Sequence, residues 1–511
     1  MARYKPYDYT QAKLLPISFS RQILPGTFEH TLHHIVENEL DLSIFEPKYK
    51  NDETGAPAYD PAILLKIILY AHSRGITSSR EIEQCCRENV IFMALSADTQ
   101  PHFTTIANFI SDMREEIMPL FLEVLMICDE MGMIGKEMFA IDGCKLPSNA
   151  SKEYSGTKAE LARKAQKMEG AIDYMLKKHR QEDEQGAPSE YRQREVKQQQ
   201  TLAAQVKKIK DWLNDHDDKP GKGGKPIKSN ITDNDSAKMK TSHGVIQGYD
   251  GVATVDARHQ VVVHAQAFGQ AQEHDLLMPM VEATRENFIA IGQDDVFKNA
   301  AVTADSGFHT SDNIEALFAQ QVDAYIADNK FRKRDPRFAT RDRYKERHRK
   351  EVRQSKQSIY RPADFMYDKQ SRTCICPAGK AMYQNGSNVT IKGARYVKFS
   401  GSKMHCVPCK QRNKCLRHPE RTEVRQVVFF QGRPGSLKQT YTQKMIQKID
   451  TPEGRHQYSR RLGIVEPVFG NITSSLGLKR FSLRGKVKVD IQWKLYCIVH
   501  NLLKIHRYGA P

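Results

Sequence analysis

A chain of 511 residues with 39% apolar side chains has room for two to four domains and enough apolar surface to bury ordinary cores, which excludes a disordered protein. No uninterrupted stretch approaches the roughly 18–20 apolar residues of a membrane span, so a cytoplasmic, unprocessed protein without a membrane partner is expected. The 78 Lys and Arg exceed the 61 Asp and Glu by 17, and the excess is concentrated: residues 330–356 hold 13 basic and 4 acidic side chains, and the tail from Asn471 onward is also basic. Such blocks suit a polyanionic partner, bound more tightly at low salt because binding releases counterions.

The first 130 residues read as short helices. "YDPAILLKIILYAHSRG" has Asp60 as N-cap, Pro61 at the first helical position, Ile63, Leu64, Ile67 and Ile68 on one face, and Gly75 as the stop. Ser78 and Glu81 stand at capping-box spacing, and "FTTIANFISDMREE" supplies a further helix. Short helices with tight connections suit a DNA-binding unit of helix-turn-helix type, or else a plain helical bundle.

The texture changes at "GKEMFAIDGCKLPSNAS", where Met138 to Ile141 predict a buried strand ending at Asp142-Gly143. "GVIQGYDGVATVDARHQVVVHAQAF" predicts a hairpin turning near "DARHQ", residues 276–287 a helix, "NAAVTADSGF" a strand ending at Asp305, and "VDAYIA" one more strand. Strands alternating with helices indicate an α/β sheet. Two segments interrupt it: a charged, Gln-rich helical hairpin from residue 158 to about 218, closed by a flexible "DDKPGKGGKP", and a basic, then Cys-rich, strand-like stretch from 330 to about 455. The expected organisation is a helical DNA-binding domain at 1–130, core segments at 131–157, 233–329 and 456–511, and insertions at 158–232 and 330–455.

Asp142 and Asp305 each follow an apolar run and precede small residues, and Glu466 offers a third carboxylate, set directly before Pro467. Carboxylates gathered at a sheet edge repel one another, and a divalent cation relieves the repulsion. Hard oxygen ligands suit Mg²⁺ (or Mn²⁺), and two such ions stabilise both oxygens of a phosphoryl transfer. Asp256, in the hairpin turn, and Asp275, placed as a helix cap, compete for the same role.

"AIDGCKLPSNAS", "VTADSGF" and "YSRRLGIVEPVFGNITSSLGLKRFSLRG", in that order, resemble the catalytic blocks of bacterial insertion-sequence transposases with an Asp-Asp-Glu site, most closely the insertion-sequence eleven-eighty-two family. The resemblance extends to the helical N-terminal region and to the segment before Glu466. It implies an RNase H-like α/β core; Asp142, Asp305 and Glu466 as ligands of two Mg²⁺ ions; cleavage at transposon ends and strand transfer into target DNA; and a homodimer on double-stranded DNA. The rival readings are an inactive or domesticated transposase-derived DNA-binding protein and a metal-dependent nuclease without transposition. The superfamily's Tyr, Arg, Glu, Lys signature has Tyr458, Arg461 and Glu466 as counterparts, all candidates for DNA or metal contact. Lys145 is a further phosphate-contact candidate. The signature's lysine position is Thr473, and the nearest basic residues beyond it are Lys479 and Arg480. Arg461 and Glu466 are five residues apart, where the signature has four. A π-bulge around Gly463 would absorb the extra residue, relieve the clash of Pro467 with the carbonyl of residue 463, and return both side chains to one face.

Ten cysteines in a reducing compartment point away from disulfides. Cys374, Cys376, Cys406, Cys409 and Cys415 cluster, and C-x₂-C facing a second Cys pair across about 30 residues is a tetrahedral zinc pattern; four of the five would hold a structural Zn²⁺.

Overall fold

The computed structural model describes residues 18–49, 57–184, 192–221, 224, 226–242, 244–338, 359–387, 389–391, 394–432 and 440–509. The larger part of the basic block, residues 339–356, lies outside them, as do residues 222, 223 and 225 of the Gly-rich loop. The chain divides into two compact units, Met1–Ala327 with Thr451–Pro511, and Asp328–Asp450.

The first unit opens with six helices, α1 (Phe28–Asn38), α2 (Pro61–Ser73), α3 (Ser79–Glu88), α4 (Val90–Leu95), α5 (Phe103–Ser111) and α6 (Ile117–Glu130). In α2 the Asp60 carboxylate accepts the Ala62 N–H at 2.7 Å, Pro61 occupies the first turn, and Gly75 follows at φ +77°. The helix is buried on every side, including Lys66, which pairs with Glu37 at 2.5 Å, so the single apolar face expected for it is wrong. Ser78 occupies the N-cap of α3 without a side-chain bond, so the anticipated capping box does not form.

Strand β1 (Met138–Pro147) is the centre of a six-stranded mixed sheet. It pairs antiparallel with β5 (Gly244–Asp256), Phe139 opposite Asp256 through Pro147 opposite Gly248. On its other edge it runs parallel to β7 (Ala301–Ala304), which runs parallel to β8 (Asp323–Ile326). The far edge of β5 pairs with β4 (Ala237–Thr241) and then with β6 (Val262–Phe268). The short pair β2 (Ser155–Gly156) and β3 (Ser229–Asn230) stands apart from this sheet. Helix α9 (Leu277–Ala290) covers one face, its Thr284 hydroxyl donating to that of Thr254 at 3.0 Å. The side chain of residue 251 would point to the opposite face, where Gly251 leaves room for Trp493 of α15 (Lys486–Tyr508). Trp493 is fully buried and donates Nε1–H to the Val252 carbonyl at 3.0 Å. Because α15 packs against β6 and also against α2 and α6, the N-terminal helices share one unit with the sheet.

Helix α10 (Ser311–Ala319) links β7 to β8, and α7 (Lys158–Glu184) packs on α8 (Arg192–Asp215). Leu161, Ala165, Ile209, Trp212 and Ile231 form a small apolar cluster at the base of that pair. Further along, ion pairs such as Lys178–Glu195 and Lys210–Glu169 link the two helices.

The second unit carries its own six-stranded antiparallel sheet of β9 (Met366–Asp368), β10 (Thr373–Ile375), β11 (Ala381–Gln384), β12 (Val389–Ile391), β13 (Ala394–Ser400) and β14 (Gln426–Gly432). It also contains two one-turn helices, α11 (Lys403–Cys406) and α12 (Arg412–Cys415), and α13 (Tyr441–Asp450). Its core is small: Phe365, Cys374, Met382, Val397, Phe399 and Val427.

Candidate active site

Helix α14 (Pro452–Gly470) returns the chain to the first unit and lies against β1, β5, β7 and β8. Thr451 caps it and Pro452 fills its first turn, so Pro467 does not begin a helix. The π-bulge expected at Gly463 is absent. The helix is α-helical through Pro467 to Gly470, and the widened turn comes afterwards, as a π segment at Asn471–Ser475. Pro467 has no N–H to give the Gly463 carbonyl; the Gln260 side chain, reaching from the β5–β6 hairpin, donates to it instead at 2.9 Å. Five regular helical steps turn Glu466 about 140° from Arg461. Arg461 is accordingly buried, facing the sheet, and Glu466 is exposed.

The Arg461 guanidinium is shared by both aspartates. Nη1 donates to Asp142 Oδ2, and Nη2 lies 3.4 Å from Asp305 Oδ1. Nε is buried without a hydrogen-bond partner. Burial works against the charge of Arg461, but Asp142 and then Asp305, with smaller contributions from Tyr458 and Glu466, outweigh it and raise its pKa. Burial pushes Asp142 up to about 6, with Arg461 opposing. The two aspartates, 163 positions apart, thus meet at one cation. Glu466 acts on that cation through space, but its carboxylate has no ion-pair partner among the described residues, and no three metal-ligating side chains are gathered there.

Asp142 does not end its strand. β1 continues five residues beyond it, and Gly143 serves a different purpose from a turn. Asp250, on the neighbouring strand, directs its carboxylate over Gly143, where an added Cβ would lie 2.6 Å from Oδ1. Asp250 is fully buried, and neither of its oxygens has a hydrogen-bond partner among the described residues. Burial, then Glu273, push it up to about 7, with Lys145 opposing. Lys145 is ion-paired with Glu273, whose Oε2 also lies 3.0 Å from where a Cβ on Gly307 would sit. Asp250 and Glu273 therefore belong to the acidic recess, although neither was anticipated. The signal for Asp250 was available, since "YDGVATV" places a carboxylate inside an otherwise apolar strand.

The other candidates lie as follows. Tyr458 is buried. Lys479 and Arg480 are exposed just beyond the π segment, and Arg480 reaches Asn149 Oδ1 at 3.2 Å. The Thr473 hydroxyl donates back to the Phe469 carbonyl at 2.7 Å. Asp256 is structural, its buried carboxylate accepting the N–H groups of Gly135, Lys136 and Arg258 at 2.8–3.1 Å. Asp275 does not cap α9, whose N-cap is Leu276. In the second unit, Cys376, Cys406, Cys409 and Cys415 line one pocket, while Cys374 is in the apolar core.

Two predictions arise here. Gly143→Ala is expected to cost about 1–3 kcal/mol through overpacking against Asp250, and Asp250→Ala in the same chain should recover much of it; urea unfolding of the single and double variants measures this. Folding raises the Asp250 pKa, so its contribution to stability is fully present below the unfolded value near 4 and is lost as pH rises through about 7. Asp250→Asn should therefore match wild type at about pH 3 and exceed it progressively between about pH 4 and 7, by at most about 4 kcal/mol at pH 9, in melts run with chelator.

Two carboxylates thus share one buried cation on a mixed α/β sheet, in a chain of net charge +17. Residues 375–506 match the family model described as Transposase DDE domain, and residues 18–112 match Transposase domain (DUF772). Together these matches indicate a DDE transposase of the bacterial insertion-sequence type. The first match contains Tyr458, Arg461 and Glu466; neither contains Asp142 or Asp305. No curated protein matches the chain. Among the described residues no helix is long and apolar enough to cross a membrane.

Proposed function

We propose that the first unit is an RNase H-like core that cuts DNA at transposon ends and transfers the freed strand into target DNA. The observation that carries this reading is the Arg461 bridge between Asp142 and Asp305, which marks a place built for positive charge. The strand order β6-β5-β1-β7-β8, in which only β5 runs against the other four, supports the fold assignment. Hard carboxylate oxygens suit Mg²⁺ or Mn²⁺; Asp142 and Asp305 would hold such ions, and Glu466, exposed on α14, would have to turn in to join them. Bound there, a pair of such ions supplies charge stabilisation to the attacking and leaving oxygens of a phosphodiester.

In cleavage, water displaces the 3′-oxygen of the element end. In transfer, that 3′-hydroxyl displaces a target 3′-oxygen, so phosphodiester bonds are conserved. Arg461 offsets the charge of the paired aspartates, and Asp142, with its pKa near 6, is mostly ionised at neutral pH. Lys479 and Arg480, exposed beyond α14, hold DNA phosphates together with the N-terminal helices. Lys145, tied to Glu273, orients the acidic recess. The protein works as a homodimer bringing two ends together, in the cytoplasm on chromosomal DNA.

The test uses labelled duplexes carrying the inverted repeats that flank the gene, incubated with the protein and Mg²⁺. Joined products are expected. Cleavage without joining would instead indicate a nuclease, and binding alone a DNA-binding protein that has lost its chemistry.

A further inference from the structure

Residues 401–425 of the second unit hold a compact shape with little apolar burial, Leu416 being the one buried hydrophobic side chain there. Much of the loop is tied to Arg412, whose Nη1 donates to the carbonyls of Cys406 and Glu423 and whose Nη2 donates to those of Pro419 and Thr422, all at 2.8–2.9 Å. Each cysteine of this region sits at a bend. Cys406 closes α11, the Cys409 carbonyl accepts the Arg412 N–H at 3.1 Å, and Cys415 closes α12. Cys376 opens a tight turn: its carbonyl accepts the Gly379 N–H at 2.8 Å, with Gly379 at φ +72°.

The thiols of Cys376, Cys406, Cys409 and Cys415 border a single pocket. At its wall Gly401 is required, since a Cβ there would run into Cys406 Sγ. Arg425 lines the same pocket and has a buried Nε without a hydrogen-bond partner, a donor suited to a thiolate. Cys374 is different: its Sγ is 3.9 Å from Met382 Sδ, inside the apolar core.

We propose that Cys376, Cys406, Cys409 and Cys415 are the ligands of a structural Zn²⁺, and that Cys374 is not one of them. The four cysteines line the pocket, but among the described residues no three are placed to hold an ion as they stand, so binding requires their side chains to turn inward. On binding, each thiol releases its proton to solvent, and the resulting thiolates complete a tetrahedral shell whose excess negative charge is offset by Arg425 and Arg412. The ion then does for this loop what apolar packing does in larger cores.

The full-length protein, purified without chelator and analysed for metal by mass spectrometry, should carry about one zinc per chain, and Cys376→Ser or Cys409→Ser should lower that to about a tenth. Cys374→Ala should keep its zinc. Should a serine variant fail to fold, alkylation of the wild type decides: the four named thiols should be protected until a chelator is added and react afterwards. Wild type far below one zinc per chain, thiols reactive from the outset, or zinc lost with Cys374→Ala and kept with Cys376→Ser would each overturn the proposal.

Discussion

Asp142→Ala and Asp305→Ala are each expected to reduce strand cleavage and joining by about 10³-fold or more while leaving DNA binding within about twofold of wild type. The reason is a division of labour. The two carboxylates meet at the sheet, engaged with Arg461 and not displayed as phosphate contacts. Removing a ligand of a catalytic cation forfeits several kcal/mol of transition-state stabilisation, and each 1.36 kcal/mol is about tenfold in rate. On the proposed function, affinity for DNA is expected to come from basic side chains elsewhere on the chain. Parallel assays of cleavage and gel-shift binding check both halves. Retained cleavage in either variant would mean that the wrong acid has been assigned, with Asp250 or Glu273 next in line by position.

Arg461→Ala should have the second-largest effect, and on stability. The side chain is 10% exposed and neutralises a carboxylate that burial has already pushed up to about 6. Without it, the metal-free protein should lose about 3 kcal/mol, the low end for breaking a buried pair, because the half-exposed Asp305 contributes little. Asp142 should then titrate higher still. A folded-state pKa raised above the unfolded value means stability lost as pH rises through it, so the variant should weaken more steeply than wild type between pH 6 and 8. Mg²⁺ should restore more of the melting temperature in the variant than in wild type, since no internal cation competes for the aspartates. Equal Mg²⁺ shifts in the two proteins would show that Arg461 and the metal do not occupy the same place.

The helix caps and the apolar runs were readable because their physics is local. Asp60, Pro61 and Gly75 mark the start and stop of α2, and Met138 to Ile141 mark the centre of β1. What remained hidden depended on neighbours distant in sequence. The Asp142-Gly143 pair has the composition of a turn, yet it lies mid-strand because Asp250 from β5 needs the space above the glycine. Pro467 looked like a helix breaker and is accommodated because Gln260, 203 residues before Gly463, satisfies the Gly463 carbonyl that it orphans. The burial of α2 on all sides reflects α15, contributed by the opposite end of the chain. Among the five clustered cysteines, spacing alone could not separate Cys374 from the rest; its packing against Met382 does. Arg461 and Glu466 illustrate the cost of an assumed irregularity: with no bulge between them they point in different directions, and only Arg461 meets Asp142.

The central claim is that Asp142, Asp305 and Glu466 act on one pair of divalent cations. The most direct measurement is anomalous diffraction from crystals of the protein bound to transposon-end DNA and grown with Mn²⁺. Two manganese peaks about 3.5–4 Å apart, with Asp142 and Asp305 as ligands and Glu466 turned in to join them, are the expected result. Manganese bound without Glu466, or held by Asp250 and Glu273 with Arg461 still bridging the two aspartates, would contradict it.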